Sequence, residues 1–273
     1  MTDFEVTIES TGQQTGSLSW TRLDSGLAPG LRGGPDSLTR AIMAAADDAF
    51  ERRGLHRLEA DVRADDPDAR RALLRAGFRL EGRRRQVIIA SDGGFTDELI
   101  FARLDDDQVD GPDGFSGVMN SALPRKRLIA HVLMRDVTGR VLLCDTVFKS
   151  DFELPGGIVE PDESPRLGAI REVKEELGID IELGRLLAVD WMPHYLGWDD
   201  ACELIFDGGT VTEEEIAGFV LQPTEIRAVR LIDIADAEPH LTALSFRRLS
   251  AITTLDAGGT LTRTLTMEDG RPV

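Results

Sequence analysis

The chain has 273 residues, enough for two domains of ordinary size, and its 41% apolar and 29% charged residues are globular values that exclude a disordered polypeptide. It carries 49 acidic against 31 basic side chains, a net charge of -18, which excludes nucleic acid as the main partner because duplex binding needs a basic footprint. No apolar run approaches the roughly 18–20 residues of a membrane span, the start Met-Thr-Asp-Phe-Glu lacks a secretory layout, and Cys144 and Cys202 have neither disulfide-framework nor zinc spacing, so a cytoplasmic protein is expected.

Residues 1–105 hold 15 basic and 18 acidic side chains, and the remainder holds 16 and 31, so the second half carries the acidity. Along the first half, Phe4–Ile8 and Ser17–Trp20 flank a glycine-bearing turn and predict a hairpin. A Gly/Pro-rich loop leads to Ser37, a helix N-cap candidate. Ile42, Ala45, Ala46, Ala49 and Phe50 then recur at helical spacing up to Gly54. His56–Val62 alternates as a strand, Pro67–Arg75 reads as a short helix closed by Gly77, and Val87–Ile89 with Leu99–Phe101 reads as a strand pair. The acidic, Gly- and Pro-rich stretch that follows predicts a linker over 106–123, between domains at 1–105 and 124–273.

In the second half, Arg127–Met134 and Val141–Cys144 predict strands, with further strands near 182–191, 201–207 and 226–232 and a last helix over 239–252. The best-marked helix begins after Ser164, an N-cap, with Pro165 at its first position and Gly178 at its end. Glu172, Glu175 and Glu176 lie at i, i+3 and i+4, on one face. Like charges so spaced cost about 0.2–0.5 kcal/mol per pair, and Arg171 can offset only part of it. Three carboxylates together suit a hard divalent cation, with Gly156 and Gly157 allowing backbone to approach.

Gly157, Glu163 and Arg171-Glu-Val-Lys-Glu-Glu-Leu-Gly-Ile179 match the Nudix box at every one of the nine positions it fixes over 23 residues. The segment from about 124 to 255 thus resembles a Nudix domain, an α/β fold with a mixed sheet between helices. The resemblance implies a Mg2+- or Mn2+-dependent pyrophosphohydrolase acting on a small nucleotide-type substrate. It implies metal ligands at Glu172, Glu175 and Glu176, with Glu163 and the Gly156 carbonyl beside them. Glu172 is ligand or base, and Arg171 orients the cluster. A further glutamate in a late loop is matched by Glu225, which reads equally as a plain surface residue. Trp191, Tyr195 and Trp198 either stack a nucleobase or pack under the sheet, the packing being favoured, and Lys149 joins them as a substrate-binding candidate. His131 reads as a core histidine, and Cys144 and Cys202 as buried small hydrophobes.

In the first half, Ala44–Phe50, Leu55–Glu59, Ala72–Phe78 and Leu80–Gly82 resemble the later part of a GNAT acetyltransferase. Three features depart from that family. The chain begins at what would be its second strand. The pyrophosphate-loop position reads Arg32-Gly33-Gly34-Pro35-Asp36-Ser37, where proline lacks an amide donor and Asp36 repels phosphate. The one tyrosine, Tyr195, falls in the other half. A truncated module serving homodimerisation or substrate docking is therefore expected. An acetyltransferase with a regulatory or nucleotide-sensing Nudix half is the alternative reading, and a pure nucleotide-binding regulator a third.

Overall fold

The computed structural model describes residues 4–23, 36–90, 92–195, 197–257 and 262–273. It divides into two compact units, 1–124 and 125–273. The glycines and proline at 33–35 that bear on a pyrophosphate loop lie outside the described residues.

In the first unit the expected hairpin is β1 (Phe4–Ser10) and β2 (Thr15–Arg22), antiparallel with Ser10 opposite Gly16. Helix α1 (Ser37–Asp47) starts at Ser37 itself, with Asp36 in the N-cap position. Strand β3 (Arg57–Arg63), helix α2 (Pro67–Arg75) and strands β4 (Arg79–Ile89) and β5 (Phe95–Leu104) follow. The sheet order is β1-β2-β3-β5-β4. Among the described residues of this unit only the β2–β3 pair is parallel, and it runs no further than Ser17 opposite Glu59. Ile42, Leu58, Leu73, Phe78 and Phe101 form a fully buried core between α1, α2 and the sheet.

The linker expected over 106–123 is instead largely helix α3 (Gly111–Ala122). It packs on β4, where the Leu80 amide donates to Ser121 Oγ at 3.0 Å. Composition misleads here because three glycines in this helix lower its intrinsic propensity; close packing supplies what propensity does not.

The second unit contains β6 (Arg127–Arg135), β7 (Val141–Thr146), β8 (Gly156–Ile158), α4 (Pro165–Leu177), β9 (Leu186–Met192), β10 (Ala201–Thr210), α5 (Glu213–Ala217), β11 (Ile226–Ile232), α6 (Ala243–Ala257) and a terminal hairpin, β12 (Leu265–Glu268) and β13 (Arg271–Pro272). The mixed sheet has the order β11-β7-β6-β10-β9-β12-β13, with β8 on β6. Both faces are covered. Ala169, Val173 and Leu177 of α4 pack on Val132, Leu142 and Phe206, while Leu249 and Ile252 of α6 pack on Leu133, Leu143 and Ile205. This two-sided burial explains the unbroken Val-Leu-Leu-Cys run of β7.

Three expectations shift. The strand expected from 182 begins at Leu186, the last helix begins at Ala243 after two 3₁₀ turns, and Cys202 is only half-buried, unlike Cys144. Strands β8, β12 and β13 and helix α5 were not legible in the residue pattern, being five residues or shorter.

Candidate functional site

The segment leading into α4 enters the sheet between β6 and β7. The Cys144 and Glu153 amides exchange hydrogen bonds with each other's carbonyls, the Val132 amide donates to the Pro155 carbonyl at 2.9 Å, and β8 then pairs with Ile129–His131. Gly156 makes this entry possible. Its φ is +128°, and a Cβ there would lie 2.3 Å from the Ala130 carbonyl oxygen. At Gly157 a Cβ would lie 2.9 Å from the Glu172 carboxyl, so glycine lets that carboxylate rest against the backbone.

Helix α4 is framed as expected. The Leu167 amide donates to Ser164 Oγ at 3.3 Å, Pro165 occupies the first turn, and Gly178 has φ +73°. Arg171 gathers the acidic face. Its Nε and Nη2 donate to the two Glu163 carboxylate oxygens at 2.9 and 3.0 Å. Its Nη1 donates at 3.0 Å to both Glu172 and Glu175, and Nη2 also reaches the Ile158 carbonyl at 3.2 Å. Glu163, held chiefly by Arg171 and then by the Glu160 amide, stays below the ordinary carboxylate range.

The other two glutamates are in the opposite condition. Burial, opposed by Arg171, raises Glu172. Burial pushes Glu176 up to about 7 against the Gly156 amide, which donates to its carboxylate at 2.9 Å. Glu225 is exposed, yet its charge acts on both Glu172 and Glu176. It is brought there because the Val220 and Gln222 amides donate to the Leu177 and Glu176 carbonyls at 3.0 and 2.9 Å, tying the loop to the end of α4. Among the described residues no three acidic, imidazole or thiol groups already converge as a metal site. The guanidinium of Arg171 lies instead among Glu163, Glu172 and Glu175. An all-oxygen donor set in which Glu175 and Glu225 add to the raising of Glu172, and Glu172 and Glu225 to that of Glu176, fits a hard divalent cation.

The remaining candidates lie elsewhere in the unit. Trp191, Tyr195 and Trp198 are 45, 48 and 60% exposed, which corrects the expectation that they pack under the sheet. Tyr195 and Trp198 close a tight turn through reciprocal backbone hydrogen bonds, Trp191 Nε1 donates to Asp200 at 3.2 Å, and the Arg127 guanidinium lies 4.7 Å from the Trp198 ring centroid. Lys149 pairs with Glu153, burial lowers its pKa, and the charges acting on it are Asp151 and Glu203. It joins that group rather than the glutamates of α4.

One buried network escapes the residue pattern. His131 Nδ1 lies 2.9 Å from Glu203, Glu203 pairs with Arg248, and Arg248 Nε donates to Asp190 at 2.7 Å. Asp190 also accepts from the Gly270 amide. Each of the four side chains is at least nine-tenths buried. The available signal was a charge at an inward position of each otherwise apolar strand or helix.

A family model for the NUDIX domain matches residues 125–251. A MutT-like protein of Streptomyces ambofaciens is 34% identical over 127 residues, covering 41% of this chain and 79% of that one. The CTP pyrophosphohydrolase of Escherichia coli is 42% identical over 65 residues, 22% of this chain and 47% of that one. The first unit is similar to the solved Mycobacterium smegmatis RimJ in complex with CoA-disulfide, at 24% identity, 43% of this chain and 55% of that one, with a TM-score of 0.33.

Proposed function

The chain belongs to the Nudix family and is a hydrolase of pyrophosphate bonds, and from that premise we propose that it cleaves a nucleoside diphosphate linked to a further moiety in a metal-dependent reaction. The observation that carries this reading is the acidic face of α4. Glu172 and Glu176 on it are raised by burial and by Glu225, while Arg171 holds Glu172 and Glu175 together with Glu163.

Glu172, Glu175 and Glu176 would hold Mg2+ or Mn2+, with Glu163 and the Gly156 carbonyl beside them. A cation held there would supply charge neutralisation on the diphosphate and activation of a water. In the reaction the water oxygen bonds to phosphorus, the bridging P–O bond breaks, and the products are a nucleoside monophosphate and the phosphorylated moiety. Glu172, half-buried, or Glu225 accepts the water's proton. Arg171 keeps Glu172 and Glu175 in register with Glu163, so that the ligands are ordered before the substrate arrives. The exposed rings of Trp191, Tyr195 and Trp198 offer faces on which a nucleobase stacks, and Lys149 offers a charge for an anionic group.

The test is a hydrolysis screen with Mg2+ or Mn2+ over nucleoside triphosphates, ADP-ribose, dinucleoside polyphosphates, NADH and nucleotide sugars. The expected result is metal-dependent release of a nucleoside monophosphate from one class. Glu175→Gln and Glu176→Gln should each lower kcat about 100-fold or more. Undiminished metal-dependent turnover in both variants would sink the assignment.

A further inference from the structure

The first unit contains a groove that the hydrolytic reading does not use. It has a volume of about 550 Å³, within the range of small-molecule sites. One wall is α2, whose Pro67, Arg70, Arg71, Leu74 and Arg75 fall at helical spacing on one face. The other wall is α3, where Gly111, Gly114, Phe115, Val118 and Met119 do the same. No residue of β2 or β3 lines it.

The two walls differ in chemistry. The α3 side is apolar, and Phe115 stands 67% exposed on it, an aromatic ring that the fold leaves uncovered. The α2 side presents three guanidinium groups. Arg75 pairs with Asp36, Arg71 meets Asp68 at 3.3 Å, and Arg70 donates to the Ala64 carbonyl at 3.3 Å. These are exposed pairs of small worth, and they leave most of the fifteen or so N–H donors of three arginines directed to solvent. One carboxylate, Asp110, lies on the rim. Arg75 and Arg71 each already meet one carboxylate, and Arg70, bonded to a backbone carbonyl, is left as the main guanidinium for an incoming anion, which favours a monoanion over a dianion.

We propose that the groove between α2 and α3 binds a small amphiphilic carboxylate, its head on Arg70 and Arg71 and its acyl or aryl body across Leu74, Phe115, Val118 and Met119. An arginine fork matches a carboxylate with two parallel hydrogen bonds, and the apolar wall supplies the remaining affinity. This gives the first unit a ligand-binding role independent of the acidic helix in the second.

The test uses the full chain with methionine methyl groups labelled with carbon-13. The Met119 resonance is assigned through Met119→Leu, and the probes are octanoate, octyl phosphate and octanol. Octanoate is expected to shift the Met119 methyl saturably, with octanol at least about ten-fold weaker. Arg70→Glu should weaken octanoate about ten-fold and Phe115→Ala several-fold, both on exposed side chains that leave the melting temperature unchanged. Equal binding of octanol and octanoate, octyl phosphate binding more tightly than octanoate, an unmoved Met119 methyl, or full affinity in Arg70→Glu would each overturn the proposal.

Discussion

Arg171 makes hydrogen bonds to three glutamates and a strand carbonyl at once, and the Glu163 carboxylate beside it accounts most for its raised pKa. A lysine keeps the charge but has one ammonium centre in place of a planar fork. Arg171→Lys should therefore lower turnover about 10–100-fold and raise the Mg2+ concentration needed for half-maximal rate; a metal titration of the variant checks both. Glu203 shows a buried charge under different control. Burial pushes its pKa up, but Arg248 and His131 outweigh burial and hold it at about 2, below its ordinary value of 4.5. The stabilisation is complete above pH 4.5 and is lost as pH falls through 2. Its sign follows from the depressed pKa of the folded state. Asp190 on β9 and Lys149 near β7 are the further charges around this network. Glu203→Gln should thus lower the melting temperature at pH 6, and the gap to the parent protein should close as pH approaches 2; a constant gap contradicts this account. Arg171 and the glutamates of α4 were legible because helical spacing fixes neighbours at i+3 and i+4. Glu225 was legible only through the family resemblance and the His131–Arg248 network not at all, since each joins elements tens of residues apart.

Helix α3 shows how an element can run against its own composition. Gly114 has no room for a methyl group: a Cβ would lie 2.5 Å from the Val109 carbonyl carbon. At Gly117 the same atom would meet the Arg79 guanidinium at 2.8 Å. Alanine is the better helix former by about 1 kcal/mol, yet Gly114→Ala should destabilise the first unit by about 1–3 kcal/mol through overpacking against backbone. Thermal denaturation decides the sign, and a stabilised variant would show that propensity dominates there. The same reasoning applies at β8, where Gly156→Ala should cost more, because the left-handed backbone and the Ala130 carbonyl both oppose it. Alternation and caps made most other strands and helices legible. Short elements such as β8 and β12 owe their existence to partners, so no local pattern announces them.

At the scale of the whole molecule, the fold class was legible through the resemblance of the two halves to known families, and the apolar runs of β6 and β7, covered on both faces, agree with it. The terminal hairpin was not. Strand β12 pairs in parallel with β9, Leu265 opposite Ala188, and the Gly270 amide closes on Asp190. During synthesis β9 leaves the ribosome well before β12 exists, so for that interval its outer edge offers open amides and carbonyls to any passing strand. The last residues of the described chain therefore act as a late-arriving guard on the nascent sheet. Halting translation just after α6 should yield a protein that aggregates as it emerges, while one carrying β12 and β13 stays dispersed.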